Sequence, residues 1–208
     1  MSRVITIGRE FGSGGREVGK RLAELLQIPY YDNEIVTQLA ERTQLCVHYV
    51  KQFSEKGLRP VEYFPITIGR TFTRQTLPTT MNPLHTQNTK LHGEQTKLLK
   101  ELAEKSDCVI VGRAACEVLV SHRPLKIFIY ADMDSKMERC RLHSTERERM
   151  SDVKLKQHIL NVDKARALYY KNVTGKVWDD KLNFDFMFNT SQITPKAVAQ
   201  TLFNYLQD

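Results

Sequence analysis

Val4-Ile5-Thr6-Ile7-Gly8-Arg9-Glu10-Phe11-Gly12-Ser13-Gly14-Gly15-Arg16-Glu17-Val18-Gly19-Lys20-Arg21-Leu22-Ala23 decides how the rest of the chain is read. An apolar β-rich run enters a glycine-dense turn, and an amphipathic helix leaves it. Val18, Leu22, Leu25 and Leu26 recur at i, i+4, i+7 and i+8, which puts one apolar face on that helix. A strand, a glycine loop and a helix start form a geometry that holds phosphate: glycine lets backbone N–H groups turn inward, and the helix N-terminus adds partial positive charge. The phosphate-loop pattern G-x-x-x-x-G-K-[ST] is nevertheless not met. With Gly14 as its second glycine, Gly15 stands in the lysine place, Arg16 in the hydroxyl place and Arg9 in the first-glycine place. With Gly15 as the second glycine, Arg16 takes the lysine place and Glu17 the hydroxyl place.

Outward from the loop, apolar runs alternate with helical patterns. Ile28–Asp32 is a short strand-like run ending in an acid. Asp32 or Asn33 can cap the next helix, which carries Ile35, Val36, Leu39 and Ala40. Helices are predicted near Val47–Lys56, Thr89–Lys105, Ala114–Val120, Met133–Leu142 and Asp152–Tyr170, and after the Thr194-Pro195 start signal. Cys108–Arg113, Lys126–Ala131 and Phe184–Asn189 read as further strands, the first two apolar on both faces. Strands alternating with helices predict one α/β domain over 1–208 with a mainly parallel sheet and right-handed crossovers. Ligands of such sheets lie beyond the strand C-termini. That gathers Gly8–Gly15, Asp32, Gly112-Arg113 and the segment after Ala131 around one crevice.

Residues 57–88 break the pattern. They hold four of the seven prolines, and their one acid, Glu62, faces Arg59, Arg70 and Arg74. The stretch reads either as a solvated variable loop or as a basic flap over an anionic ligand. The net charge of +7 fits anionic small ligands, and no basic run is dense enough for a dedicated nucleic-acid surface. Cys46, Cys108, Cys116 and Cys140 are scattered without zinc spacing, Cys108 and Cys116 reading as buried thiols. The expected setting is the reducing cytoplasm, with no leader and no membrane span.

No Ser/His/Asp set, metal cluster or carboxylate pair stands out, and a metal site is left unassigned. Arginine recurs instead at strand ends and loops, and its fork matches phosphate oxygens. Arg113 either faces the ligand edge or bridges to a neighbouring helix. Asp163 and Arg166, at i and i+3, form either a surface ion pair or a phosphate-gripping arginine with its positioning acid. Arg139 and Arg141 cannot share a helix face, so one is expected at the site and the other in solvent. Trp178 reads as a packing anchor rather than a base-stacking platform.

Together, Ile7–Glu17, Tyr30-Tyr31-Asp32, Val111-Gly112-Arg113, Asp163–Tyr170, Thr174-Gly175 with Trp178, and Phe184-Asp185 through Ser191 resemble the cytidylate-kinase-like family of P-loop proteins. The resemblance covers nearly the whole chain outside the 57–88 insert. It implies a three-layer α/β/α nucleoside monophosphate kinase fold with a five-stranded parallel sheet, an acceptor-binding insert and a lid near 143–151. It implies transfer of the ATP γ-phosphate, with Mg²⁺, to CMP or dCMP. Gly12, Ser13, Gly14, Gly15, Arg16 and Glu17 then hold ATP, and Asp32, Gly112 and Arg113 the acceptor. Arg16, Arg113, Arg139, Asp163 and Arg166 serve the transfer, Arg16 supplying the missing loop charge ahead of Lys20. Val111 stands where an acid is usual. Two alternatives stay open: a kinase of another small phosphate acceptor, and a catalytically impaired nucleotide-binding regulator.

Overall fold

The computed structural model describes residues 3–56, 83–144 and 150–207. Five strands form one parallel sheet: β1 (Val4–Arg9), β2 (Tyr30–Tyr31), β3 (Cys108–Val111), β4 (Leu125–Tyr130) and β5 (Phe186–Asn189), in the order β2-β3-β1-β4-β5. Ile7 of β1 pairs with Val111 on one side and Ile127 on the other. Eight helices accompany the strands among the described residues, the last of them after β5: α1 (Gly15–Leu26), α2 (Asn33–Thr43), α3 (Val47–Lys56), α4 (Pro83–Lys105), α5 (Ala115–Val118), α6 (Met133–Leu142), α7 (Asp152–Thr174) and α8 (Pro195–Tyr205).

The alternation of β1 divides the core. Ile5 and Ile7 face one side, where they meet Val109, Val111, Ile127 and Ile129 of the neighbouring strands under Val18 and Leu22 of α1 and Val198 and Leu202 of α8. Val4 faces the other side, with Cys108 and Ile110 of β3 under Ile35 and Leu39 of α2, Leu98 and Leu99 of α4, and Tyr169 and Tyr170 of α7. Both faces are covered, so this is the predicted three-layer α/β/α arrangement. Each fully buried Leu or Ile contributes roughly 1.5–3 kcal/mol. Cys108 and Cys116 are buried free thiols.

The differences from the sequence reading have local causes. β2 pairs over two residues only, because Pro29 has no N–H; its carbonyl still accepts from Val109 N at 2.9 Å. The helix predicted from Thr89 begins at Pro83, so residues 83–88 of the expected insert open α4. The rest of that insert, 57–82, and positions 145–149 of the expected lid lie outside the described residues. α5 is a single turn followed by a 3-10 turn at Val120–His122. α7 runs to Thr174 and stops where Gly175 adopts a φ of 74°. No described helix is long and apolar enough to cross a membrane.

Candidate phosphate-binding site

The chain leaves β1 towards β2 on one side of the sheet, and leaves β3 across β1 towards β4 on the other. β1 is therefore the switch point, where the crevice of an open parallel sheet lies. The glycine loop occupies that place. Glu10 N donates to Ile129 O at 3.0 Å, and the Ser13 hydroxyl folds back onto Glu10 O at 2.9 Å. Gly14 caps α1 at a φ of 80° and offers no side chain, so the cap itself does not compete for the first-turn N–H groups.

Three groups brace the loop from outside. Phe11 N donates to Asp163 Oδ1 at 2.7 Å. Arg139 donates to Gly12 O at 3.3 Å and also to Thr190 O. Thr190 Oγ1 donates to Ser13 O at 2.7 Å. Arg139 thus ties the loop carbonyl of Gly12 to Thr190 after β5, while Arg141 pairs with Asp152 at the surface. Beneath the loop lies a cluster that the sequence did not announce. Lys136 is 7% exposed, and its Nζ sits 2.6 Å from Glu10 Oε2 and 3.2 Å from Asp163 Oδ2. Glu10 Oε2 also accepts from Ala131 N.

Four arginines reach the crevice from four elements. Arg9 ends β1, Arg16 lies in the first turn of α1, Arg113 follows β3 and Arg166 sits on α7, and all four line one cavity of about 50 Å³. That is several times the roughly 10–15 Å³ one water needs. Arg166 donates to Arg9 O at 3.2 Å, lies over the Phe11 ring at 5.7 Å and is 3.7 Å from Asp163 Oδ1. Arg113 is buried with a φ of 62°, between Gly112 at 78° and Ala114 at 52°. Such a left-handed run costs roughly 1–2 kcal/mol for each non-glycine residue, and it fixes where the arginine stands. Tyr169, Tyr170, Trp178 and Phe184 complete the wall. Trp178 packs edge-on against Phe128 at 5.2 Å, as an anchor would.

Asp32, 3% exposed, answers part of this charge. Its carboxylate lies 2.7 Å from Arg16 Nε and 3.4 Å from Arg9 Nη2. It occupies the N-cap position of α2 without capping it through its side chain, because that side chain is turned to the arginines. Burial lowers the Arg9 pKa well below its ordinary value; Arg166, Arg113 and Arg16 push it further down, and Asp32 opposes them. Burial, and then Asp32, pushes Tyr30 up to about 12. The arrangement is an excess of guanidinium charge in a partly desolvated crevice, which is what binds phosphate oxygens.

Other expected residues stand elsewhere. The Glu17 carboxylate pairs with Arg21 along the outside of α1, so at the loop it has only its backbone N–H to give. Lys20 is exposed beside Glu24. Gly112 lies under the Arg9 guanidinium: a Cβ there would collide with Nη1. Gly15 lies against the Arg9 stem. The sequence reading missed Arg9, Glu10 and Lys136. The readable signal for Arg9 was its place in the failed loop pattern.

A parallel sheet of this order, with a glycine loop entering α1 and an arginine-lined crevice at the switch point, defines a P-loop kinase fold. The chain belongs to the cytidylate kinase-like family, whose profile matches residues 4–192. Among solved structures, an uncharacterized protein from Eubacterium ventriosum is 23% identical with a TM-score of 0.70, over 100% of this chain and 99% of that one. Shikimate kinase from Bacteroides thetaiotaomicron is 18% identical with a TM-score of 0.57, covering 100% of both chains. TT1252 from Thermus thermophilus is 15% identical with a TM-score of 0.52, over 99% of this chain and 97% of that one. These likenesses concern the fold. A comparison with curated protein sequences gives no match.

Proposed function

We propose that the protein is an ATP-dependent phosphotransferase that moves the γ-phosphate of Mg-ATP to CMP or dCMP, giving CDP or dCDP. The observation that carries the reading is the convergence of Arg9, Arg16, Arg113 and Arg166 on one cavity beside the glycine loop. Phosphoryl transfer asks a protein mainly for positioning and charge neutralisation, and this crevice offers both. In this reading Gly12–Gly15 and the first turn of α1 hold the ATP phosphates. Arg113 meets the acceptor phosphate, and Asp32, freed from one of its arginines, meets the acceptor nucleoside. Asp163 holds the loop through Phe11 N and lies beside Arg166, and Arg139 braces the loop through Gly12 O.

Mg²⁺ fits as a passenger of the phosphates. No group of three or more His, Cys, Asp and Glu residues among the described residues is placed to hold a metal. Mg²⁺ characteristically keeps its waters and binds through substrate phosphates with few protein ligands. When bound, it neutralises charge on the transferring phosphoryl group.

The test is ADP release from purified protein with Mg-ATP and a panel of CMP, dCMP, UMP, AMP and shikimate. Turnover confined to CMP or dCMP is expected. Turnover with another acceptor moves the reading to that acceptor, and ATP binding without any turnover replaces it with that of a nucleotide-binding regulator.

A further inference from the structure

The loop departs from G-x-x-x-x-G-K at two positions, and in three dimensions the two departures are one. Arg9 stands in the place of the first glycine and Gly15 in the place of the lysine. A Cβ on residue 15 would lie 2.5 Å from Arg9 Cβ, 3.1 Å from Arg9 Cγ and 3.3 Å from Ile129 Cβ. The first contact is closer than real Cβ atoms come, and its partner is the root of a side chain, which cannot swing aside. An arginine at 9 and any side chain at 15 therefore exclude each other on this backbone. Gly112 repeats the relation at the far end of the same side chain, where a Cβ would collide with Arg9 Nη1. Two glycines from different elements clear the path of one arginine, one beside its stem and one beside its head.

The path ends in the crevice. Arg9 lines the cavity, its Nη2 reaches Asp32 at 3.4 Å, and its buried Nε has no hydrogen-bond partner among the described residues. Arg16, the cation favoured from sequence, is 52% exposed and holds Asp32 through Nε at 2.7 Å. Resting on the phosphotransferase reading, we propose that the loop cation has changed sides. Arg9 supplies, from the end of β1, the charge on the terminal phosphates of a nucleoside triphosphate that a lysine supplies from the first turn of the helix in the standard loop. Gly15 is the residue that makes room for it. Arginine suits the new position because its guanidinium stays charged at a buried site where a lysine readily gives up its proton.

The test is equilibrium binding of Mg-ATP by calorimetry, with a thermal melt of every variant. Arg9→Gln keeps the stem and a hydrogen bond for Asp32 but removes the charge; it is expected to weaken ATP binding at least tenfold, and more than Arg16→Ala does. Gly15→Lys alone is expected to weaken it as well, since the new stem meets Arg9. The double variant Arg9→Gly/Gly15→Lys rebuilds the standard pattern and is expected to bind at least tenfold more tightly than either of its single parents. Arg9→Gln binding within twofold of the wild type overturns the proposal, as does a double variant no better than its parents. Should the Arg9 variants not fold, the ¹⁵N-arginine spectrum of the wild type decides: the Arg9 Nε–H resonance shifts on ATP addition, and an unmoved resonance overturns the proposal. A wild type that binds no ATP overturns the phosphotransferase reading first, and this inference with it.

Discussion

Replacing Gly15 with alanine isolates the steric half of the loop's design, with no ligand in the experiment. Gly15 opens α1 with an ordinary helical φ, so on propensity alone alanine should stabilise the helix by roughly 0.5–1 kcal/mol. The contact opposes this. The added methyl would sit 2.5 Å from Arg9 Cβ and 3.3 Å from Ile129 Cβ, both on sheet backbone that cannot yield without moving β1 or β4. Overpacking of this kind costs about 1–3 kcal/mol. The net expectation is destabilisation by about 1–2 kcal/mol, which for a domain of this size lowers Tm by roughly 2–8 °C. Urea unfolding followed by circular dichroism measures it. Two backgrounds then localise the cause. In Arg9→Ala the Cβ remains, so the cost of Gly15→Ala persists. In Arg9→Gly the Cβ is gone and the propensity gain emerges, reversing the sign and giving a coupling of about 2 kcal/mol. Equal effects of Gly15→Ala in all three backgrounds would refute the claim that residues 9 and 15 exclude each other.

Three further outcomes follow from the geometry. Lys136→Met removes the buried cation shared by the half-buried Glu10 and Asp163, and is expected to cost about 2 kcal/mol in urea unfolding; an unchanged midpoint would show that the cluster is solvated. Asp32→Ala leaves the Arg9 guanidinium buried without its carboxylate and is expected to destabilise by about 3 kcal/mol in low salt. Added inorganic phosphate should recover part of that loss, and a melting temperature indifferent to phosphate would show that the four arginines do not form an anion site. Burial lowers the His92 pKa, so the folded state favours the neutral ring. Below about pH 6.5 the unfolded chain takes up that proton first, so stability present above this pH is lost as pH falls towards the folded value. His92→Leu should flatten the fall in urea midpoint between pH 7.5 and 5.5 relative to the wild type.

The layered fold was readable because its signals are local and redundant. Cys108–Val111 is apolar at every position and is buried on both faces, and Thr194-Pro195 announces α8 with a hydroxyl cap and a proline at its start. The site was readable where residue type and topology agreed: Asp32, Gly112-Arg113 and the glycine loop all follow strands of a parallel sheet, so one edge collects them. What stayed hidden depends on three-dimensional neighbours. Lys136 lies in a polar helix whose pattern suggests solvent, and its burial is set by Glu10 and Asp163, which are far away in sequence. The left-handed run at Gly112–Ala114 carries a signal only at its glycine. Arg9 looked like a defect in a motif, because its partner in that defect, Gly15, lies across a turn, and the 2.5 Å at which an added Cβ there would meet Arg9 belongs to no sequence pattern.

The crowding of like charge around Arg9 has a consequence for how the protein tolerates change. Burial, Arg166, Arg113 and Arg16 each disfavour the charge on Arg9 while Asp32 favours it, so a further anion beside these arginines would lower their mutual repulsion. On the proposed function, the arginines that would bind phosphate thus work against the stability of the fold, the usual trade between robustness and activity. Selection for thermostability in the absence of ligand would erode this arginine cluster early, while selection in the presence of a phosphorylated ligand would preserve it.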